Sequence, residues 1–593
     1  VNNIQRKKEK TKTFLKRIGR LPFLISLFAI LCFLYEFGFE HKADELNFIR
    51  KVYVLTVIVG SLSIIIRYFF KTNRPRLKSL PVDISLLLFL IYVISQNLRN
   101  DIIHEGNLFT PAFWLYTAVF LVFFREVSAL RVEFKKAVFN PAQLFVISFL
   151  LIIITGTFLL MLPKATVTRI SLIDALFTST SAVCVTGLTV VDTGSFFTEF
   201  GQIIIAVLIQ IGGLGIMTFT SYFSYFFRGG STYESQFILR DLTNAEKLSE
   251  VFSVLKRIIL ITVLIEGIGS FLIFQSINRE LIPSMSDRLF FSVFHAISGF
   301  CNAGFSTLSN SFYEDAYQFN YPLHLIVAGL FILGGLGFPI VFNLLRYLKV
   351  KLHSLIFLLL KRRRHVDSPW LINVNTRIVL HTSLALTVVG TLAFFFLEYN
   401  NTLSNHSFIG KIITAFFGAV TTRTAGFNTV DTAILSIPTV LILMSLMWIG
   451  ASPASTGGGI KTSTFAVAVL NIISITKGKS RLEIYKREIP EMSVNRAFAI
   501  IFLSIIVISF SIGCIVIFDS EKEFLDICFE SISAFSTVGL SRGITTELTS
   551  VSKLVLVLTM YIGRVSMLTL LIAFFKKVSS GEYRYPTESI LIN

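Results

Sequence analysis

"FGAVTTRTAGFNTV", from Phe417 to Val430, is a small polar stretch centred on a glycine and set between long apolar segments, in a chain that is 53% hydrophobic and 15% charged. It does not stand alone. Anchored on Gly426, the same plan recurs at Gly187, Gly304 and Gly539, with spacings of 117, 122 and 113 residues. The windows read "FTSTSAVCVTGL", "FHAISGFCNAGF", "FFGAVTTRTAGF" and "FESISAFSTVGL", each opening on a phenylalanine ten positions before its glycine: Phe177, Phe294, Phe416 and Phe529. A second signature follows each window, "IGGLG" from Ile211, "LGGLG" from Leu333, "IGASP" from Ile449 and "IGRVS" from Ile562, with its first glycine 24 to 30 residues past the anchor. One match would mean nothing. Two signatures at matching offsets in four copies define an internal repeat.

Composition places the repeat in a membrane. A chain of 593 residues with mean hydropathy +0.72 would expose too much apolar surface in water, so the class is polytopic membrane protein. Apolar runs such as Leu21 to Phe39 and Ala142 to Leu162 reach the roughly 20 residues that a spanning helix needs. The net charge of +18 sits in loops, "QRKKEKTKTFLKR", "KTNRPRLK", "KRRRH" and "TKGKSRLEIYKRE" among them. That is the positive-inside pattern rather than a nucleic-acid footprint, and it puts both termini in the cytoplasm. Cys32, Cys184, Cys301, Cys514 and Cys528 show no paired spacing, so neither a disulfide framework nor a zinc site is indicated.

The expected fold is all-α: four pseudo-symmetric membrane–pore–membrane repeats around a central pore, preceded by accessory transmembrane helices. The expected divisions are a basic N-terminus (1–20), an accessory bundle of four spans (21–130), repeats at 140–230, 250–348, 374–475 and 494–577, and a C-terminal tail (578–593). In each repeat a segment of about ten residues precedes the glycine loop. Ten helical residues rise about 15 Å, enough to dip into the hydrocarbon but not to cross it. Non-helical backbone at that depth survives only when it is buried in protein or lines water. Four such loops imply a ring that replaces an ion's hydration shell with backbone carbonyls. The candidate ion-binding residues are Cys184, Val185, Thr186 and Gly187; Cys301, Asn302, Ala303 and Gly304; Arg423, Thr424, Ala425 and Gly426; and Ser536, Thr537, Val538 and Gly539. None is a carboxylate, which disfavours an acidic, calcium-type ring.

These glycine loops, with "QIGGLGIMT", "GGLGFP" and "GASPASTGGGIKTSTF", resemble the Trk/Ktr/HKT superfamily of potassium transporters, over residues 140–580. The resemblance implies a potassium-translocating subunit in a bacterial plasma membrane, working as a homodimer with a cytosolic ring of nucleotide-binding RCK-type subunits. It implies potassium as the transported ion, because relatives with serine at the first filter position favour sodium and Gly187 stands there. Sodium-coupled uptake or a sodium-selective pore is the alternative. No cofactor is expected in this chain: "GGLG" lies inside a span, without the strand–turn–helix context of a nucleotide fingerprint. Membrane lipid is the remaining expected partner. An intramembrane enzyme is disfavoured, since neither HExxH nor GxSxG occurs.

A gate is expected below the filter. Pro453 and the glycines Gly457, Gly458 and Gly459 cannot continue a helix, so Ala451, Ser452, Pro453, Ala454, Ser455, Thr456, Gly457, Gly458, Gly459 and Ile460 read as a flexible loop. Arg564 stands at the matching place in the fourth copy, and Lys461 is expected to point towards the cytoplasmic mouth. Arg423 reads as a brace paired with a nearby acid, His295 and Glu530 as structural polar partners, and Glu266 as a buried acid whose partner the sequence does not name.

Overall fold

Long apolar segments leave the backbone only itself to bond with, and here they fold as helices. The computed structural model describes residues 21–69, 80–99, 111–129, 141–228, 251–359, 372–479, 481–565 and 570–571. The basic stretches at 1–20, 71–78 and 361–365, the cluster Lys361 to Arg364 within them, and the tail 578–593 lie outside the described residues. Two compact units emerge, residues 1–133 with 162–164, and residues 134–161 with 165–593.

The first unit holds four helices, Leu21–Gly38, Ala43–Phe69, Leu80–Arg99 and Pro111–Ala129, around a core that includes Tyr53, Val57, Leu90 and Ala118. The sequence assigned no chemistry to this bundle, yet its helices are tied by carboxylates at both ends. At one end Glu36 accepts from the hydroxyls of Tyr53 (2.6 Å) and Tyr116 (2.7 Å). At the other, Asp83 accepts from Arg125 Nε (2.7 Å) and the Tyr68 hydroxyl (2.6 Å), while Glu126 accepts from Arg67 and from Ser63 (2.9 Å). Each of these three carboxylates meets an opposite charge or a hydroxyl.

In the second unit each repeat supplies a first span, a short pore helix and a second span. The first spans are Pro141–Leu160, Val251–Ser276, Val374–Glu398 and Glu491–Phe518. The pore helices, Leu172–Val183, Met285–Cys301, Phe408–Thr421 and Phe524–Ser536, have 12 to 17 residues, too few to cross. Three begin on serine caps: Ser171, Ser284 and Ser407 accept from the backbone of Asp174, Asp287 and Gly410.

The second spans differ most. That of repeat one is continuous as Glu199–Arg228, and that of repeat four is Ser550–Val565. In repeat three it breaks into Ile437–Trp448 and Thr462–Thr476, as the proline and glycines predict. In repeat two it turns by 105° between Tyr321–Leu336 and the following helix from Phe338, at Gly337 with φ +83°. The sequence reading missed that break, although Gly334, Gly335, Gly337 and Pro339 stand together there, because the stretch reads as the repeat's second signature inside a span. The basic linker after repeat three folds as a small hairpin, Glu483–Ile484 against Arg487–Glu488.

Bonds at the loop-bearing end join the repeats in a closed cycle. Ser309 Oγ donates to Asp192 (3.3 Å) between repeats one and two, and the Phe312 amide donates to the Asn428 carbonyl (3.1 Å) between two and three. The Thr432 hydroxyl reaches the Ser541 carbonyl between three and four, and Lys553 pairs with Asp174 (2.8 Å) between four and one.

Asp83→Ala leaves Arg125 half-buried without its anion. It is expected to destabilise the first unit by about 3 kcal/mol or more, the scale for removing one partner of a buried pair. Thermal unfolding of detergent-purified protein checks this, and an unchanged midpoint would show that the pair carries no stability.

Candidate functional site

The four anchor glycines meet in a ring. All have left-handed backbones: Gly187 φ +92°, Gly304 +70°, Gly426 +78° and Gly539 +93°. A Cβ added at Gly187 would land on the Ala303 carbonyl oxygen, at Gly304 on that of Ala425, at Gly426 on that of Val538, and at Gly539 on that of Thr186. The series returns to its start, so each glycine abuts the carbonyl just before the next repeat's glycine. A side chain at any of the four requires a neighbouring backbone carbonyl to shift.

Two residues before each glycine the backbone is left-handed again: Val185 (φ 56°), Asn302 (61°), Thr424 (73°) and Thr537 (50°). Asparagine tolerates this conformation. The other three are β-branched, for which it is a strained outlier costing on the order of 1–3 kcal/mol each. In repeats one, two and four the strain is coupled to a helix-ending motif. Thr186 N–H bonds the Ser181 carbonyl (2.8 Å), Ala303 the Ser298 carbonyl (2.8 Å) and Val538 the Ser533 carbonyl (2.9 Å), the six-to-one bond of a Schellman closure. Serine hydroxyls reinforce it: Ser181 and Ser533 accept from Gly187 and Gly539 N–H, both at 3.1 Å.

Repeat three closes differently, and this corrects the phenylalanine alignment. Ala425 N–H bonds the Thr421 carbonyl at 2.9 Å, one residue closer than in the other repeats. Counted from the helix, Phe417 and Thr421 therefore take the places of Phe177 and Ser181. Phe417 is fully buried like Phe177 and Phe529, whereas Phe416 is only partly buried.

Arg423 also departs from expectation. Among the described residues it forms no ion pair; Nη1 donates to the Ser383 carbonyl (3.3 Å) and Nε has no partner. Its side chain lines a small cavity with Phe331, Ser452 and Thr462, elements that carry no acid there. His295 and Glu530 do act as structural partners, and in the same way. His295 Nε2 bonds the Ser306 hydroxyl (2.9 Å) and Glu530 accepts from the Ser541 hydroxyl, each serine lying two residues past its glycine. Glu266 accepts from Gln210 Nε2 (3.1 Å). The Cys301 thiol turns towards this same pair rather than towards the ring.

The second signature packs against the first. A Cβ at Gly212 would strike the Val183 carbonyl, at Gly334 that of Phe300 and at Gly563 that of Phe535, always four residues before the ring glycine. The second span thus lies flush on the last turn of its own pore helix. In repeat three the corresponding Gly450 faces Gly458 instead, because the loop fills that place.

The loop from Ala451 to Ile460 lies directly against the ring's lower residues. Gly457 abuts Thr424 Oγ1 and Gly458 abuts Thr537 Oγ1, while Thr456 Oγ1 donates to Asn302 Oδ1 at 3.1 Å. The loop is moored on the bend of repeat two: Ser452 N–H bonds the Gly335 carbonyl (3.0 Å) and the Ala454 carbonyl accepts from Phe338 N–H (3.3 Å). Pro453 packs against Gly337, the Ser455 hydroxyl bonds the Ser452 carbonyl (2.6 Å), and Ile460 bridges back to Ile449. Two cations hold it. Buried Arg564 donates to the Thr456 carbonyl and to the Gly212 carbonyl (2.7 Å). Lys461 does not point away along the mouth as expected; its ammonium folds back to the Gly457 carbonyl at 2.6 Å. A glycine run has carbonyls but no side chains to satisfy them, and the lysine caps two, those of Gly457 and, at 3.4 Å, Gly458.

Gly563→Ala drives a methyl into the Phe535 carbonyl, whereas Gly329, also helical, has nothing within 4 Å of an added Cβ. Gly563→Ala is expected to cut the yield of folded protein severalfold. Gly329→Ala is expected to be neutral or stabilising by about 0.5–1 kcal/mol. Fluorescence-detected size exclusion with a thermal ramp distinguishes them, and equal behaviour would contradict the packing role of the second signature.

Comparison with known proteins places this geometry. The family described as TrkH, cation transport protein, matches residues 114–585. Ktr system potassium uptake protein B of Bacillus subtilis (strain 168) is 37% identical over 394 residues, covering 66% of this chain and 82% of that protein. Potassium/sodium uptake protein NtpJ of Enterococcus hirae is 35% identical over 400 residues, covering 66% and 83%. The crystal structure of the potassium transporter TrkH from Vibrio parahaemolyticus shares the fold, with a TM-score of 0.59 at 16% identity over 89% of this chain and 98% of that one. A polytopic helical chain with four glycine loops, matched over most of its length, belongs to the TrkH family of cation transport proteins.

Proposed function

We propose that this chain is the potassium-translocating membrane subunit of a Trk/Ktr-type uptake system, with the four-glycine ring as its selectivity filter. The closed glycine-to-carbonyl contact from Gly187 through Gly304, Gly426 and Gly539 carries this reading. It gathers carbonyls of four repeats around one point with no carboxylate among them, which suits a monovalent cation that exchanges water for neutral oxygens. The C-terminal ends of four pore helices converge there, and each contributes partial negative charge. Relatives named for potassium uptake support the ion. The Enterococcus hirae protein, named for potassium and sodium, keeps the sodium alternative in view.

In this reading each repeat is one quarter of the pore, the first unit is an accessory bundle, and no step is enzymatic. The protein sits in a bacterial plasma membrane with both termini cytoplasmic, as a homodimer. The relatives' designation as parts of a Ktr system supports a regulatory partner, proposed to be an RCK-type nucleotide-binding ring. The hairpin linker with Arg481, Lys486 and Arg487 would lie on its side of the membrane.

Gly187→Ser places a side chain where the Ala303 carbonyl stands. It is expected to lower potassium-over-sodium selectivity, with similar but unequal effects at Gly304, Gly426 and Gly539. Growth rescue of a potassium-uptake-deficient bacterium at low potassium, paired with sodium competition, reads this directly. Well-expressed variants that all keep the parental ion ratio would refute the filter.

The loop Ala451 to Ile460, with Arg564 and Lys461, is proposed as the gate. A strand under the ring, anchored by an arginine through two carbonyls, closes the path and opposes a cation by charge. Arg564→Ala removes those charge-assisted bonds, each worth about 1.5–3 kcal/mol, and is expected to raise potassium flux in proteoliposomes. Deleting Ser455 to Gly459 is expected to do the same. Flux at or below the parental rate in both correctly folded variants would reduce the loop to a structural interruption.

A further inference from the structure

Where the first span of repeat two ends, at Ser276, the chain turns through Ile277 to Ser284 into its pore helix. An open recess of about 390 Å³ lies at this turn, lined by Phe274, Gln275, Asn278, Arg279 and Arg288 among others. Arg288 is unusual. Only 7% of it is exposed, its guanidinium stacks on the Phe274 ring with 4.1 Å to the centroid, and its Nε has no partner. Among the described residues its guanidinium makes one hydrogen bond, a weak one from Nη2 to the Met285 sulfur (3.6 Å). Nearby acids are engaged elsewhere: Glu280 with the Asn278 amide (3.4 Å), Asp287 with the Ser286 hydroxyl (3.2 Å). Among the described residues neither Arg279 nor Arg288 forms an ion pair. A buried guanidinium is costly without an anion.

The surroundings say which anion. One and two turns below the recess, on the span itself, Ile268, Phe271 and Leu272 are 54%, 61% and 44% exposed, and Met285 and Leu289 flank it. These side chains face hydrocarbon in a spanning helix, so the recess stands at the level where the span leaves the apolar layer. Two arginines above an apolar stripe match a phosphodiester above acyl chains, and arginine suits that geometry through paired N–H donors.

We propose that this recess is a binding site for an anionic glycerophospholipid, in the leaflet from which the pore loops enter. The phosphate lies between Arg279 and Arg288, and an acyl chain runs over Ile268, Phe271 and Leu272. A zwitterionic headgroup brings its own cation towards the two arginines and binds less well. Because the site lies on the elements that set the entry of pore helix two, its occupancy steadies that helix against the first span.

The test is native mass spectrometry of the full-length protein from nanodiscs of mixed phosphatidylglycerol and phosphatidylcholine, which needs no transport activity. Arg279→Gln/Arg288→Gln is expected to lose phosphatidylglycerol preference by about tenfold or more, since losing even one charge-assisted hydrogen bond is worth that much. Because Arg288 is buried, Arg279→Gln and Arg288→Lys are measured alongside, and each is expected to show a smaller loss in a folded protein. Unchanged lipid preference in all three overturns the site. Displacement of the lipid by millimolar inorganic phosphate or soluble glycerophosphoglycerol overturns the lipid assignment in favour of a free anion. Cross-linking between two copies through Phe271→Cys in the bilayer overturns the acyl contact, because a second chain would then cover the stripe.

Discussion

Everything near the axis depends on one steric fact: at four points, backbone must touch backbone with nothing between. Gly304 shows it with the most room, and even there an added Cβ would stand 2.9 Å from the Ala425 carbonyl oxygen and 3.0 Å from the Gly426 Cα. Contact that close fixes how far each pore helix can advance. It also requires each helix to end abruptly, through a left-handed residue whose strain on Val185, Thr424 and Thr537 is offset by the closing bonds and the hydroxyls behind them. The second-signature glycines extend the same requirement outward. Only a span that lies flush on the last helical turn leaves room for four pore helices to converge, and Gly212, Gly334 and Gly563 allow it.

One chemical group, the peptide carbonyl, serves in two opposite ways. In the ring the carbonyls of Thr186, Ala303, Ala425 and Val538 are brought together by neighbouring glycines rather than by donors from side chains. A few residues below, the carbonyls of Thr456 and Gly457 are occupied by Arg564 and Lys461. An arginine within a span costs about 2.5–3.5 kcal/mol on insertion scales, and here two carbonyl bonds offset that cost. The charge is held just below the ring, and the carbonyl oxygens there are turned to the arginine and the lysine.

The sequence displayed what repeats and hid what happens once. The anchor glycines, the spans and the broken second span of repeat three were legible, because periodicity and composition average over many residues. The bend at Gly337 was not, since "GGLG" also stands inside the continuous span of repeat one, and what fills the bend in repeat two, the loop around Pro453, comes from another repeat. Arg423 and Lys461 were misplaced for a related reason. Charge suggests an acid or water, whereas a fold rich in unsatisfied carbonyls offers a third partner, and both side chains took it. The one-residue offset of Phe417 was hidden because two adjacent phenylalanines fit the pattern equally well until the helix end was seen.

The departures from fourfold symmetry gather in repeat three. Its pore helix closes one residue sooner, its Gly450 packs on its own loop instead of on a pore helix, and its second span opens beneath the ring. A symmetric ring would give each quarter the same contacts below the filter and no element free to cross the axis. By holding the other three second-span glycines against their pore helices and releasing only the third, the fold keeps the ring closely packed while one segment spans the space under it. That segment touches the left-handed residues of three repeats, Asn302, Thr424 and Thr537. Displacing it alters the packing under all three at once, which couples the loop to the left-handed backbone of the ring above it.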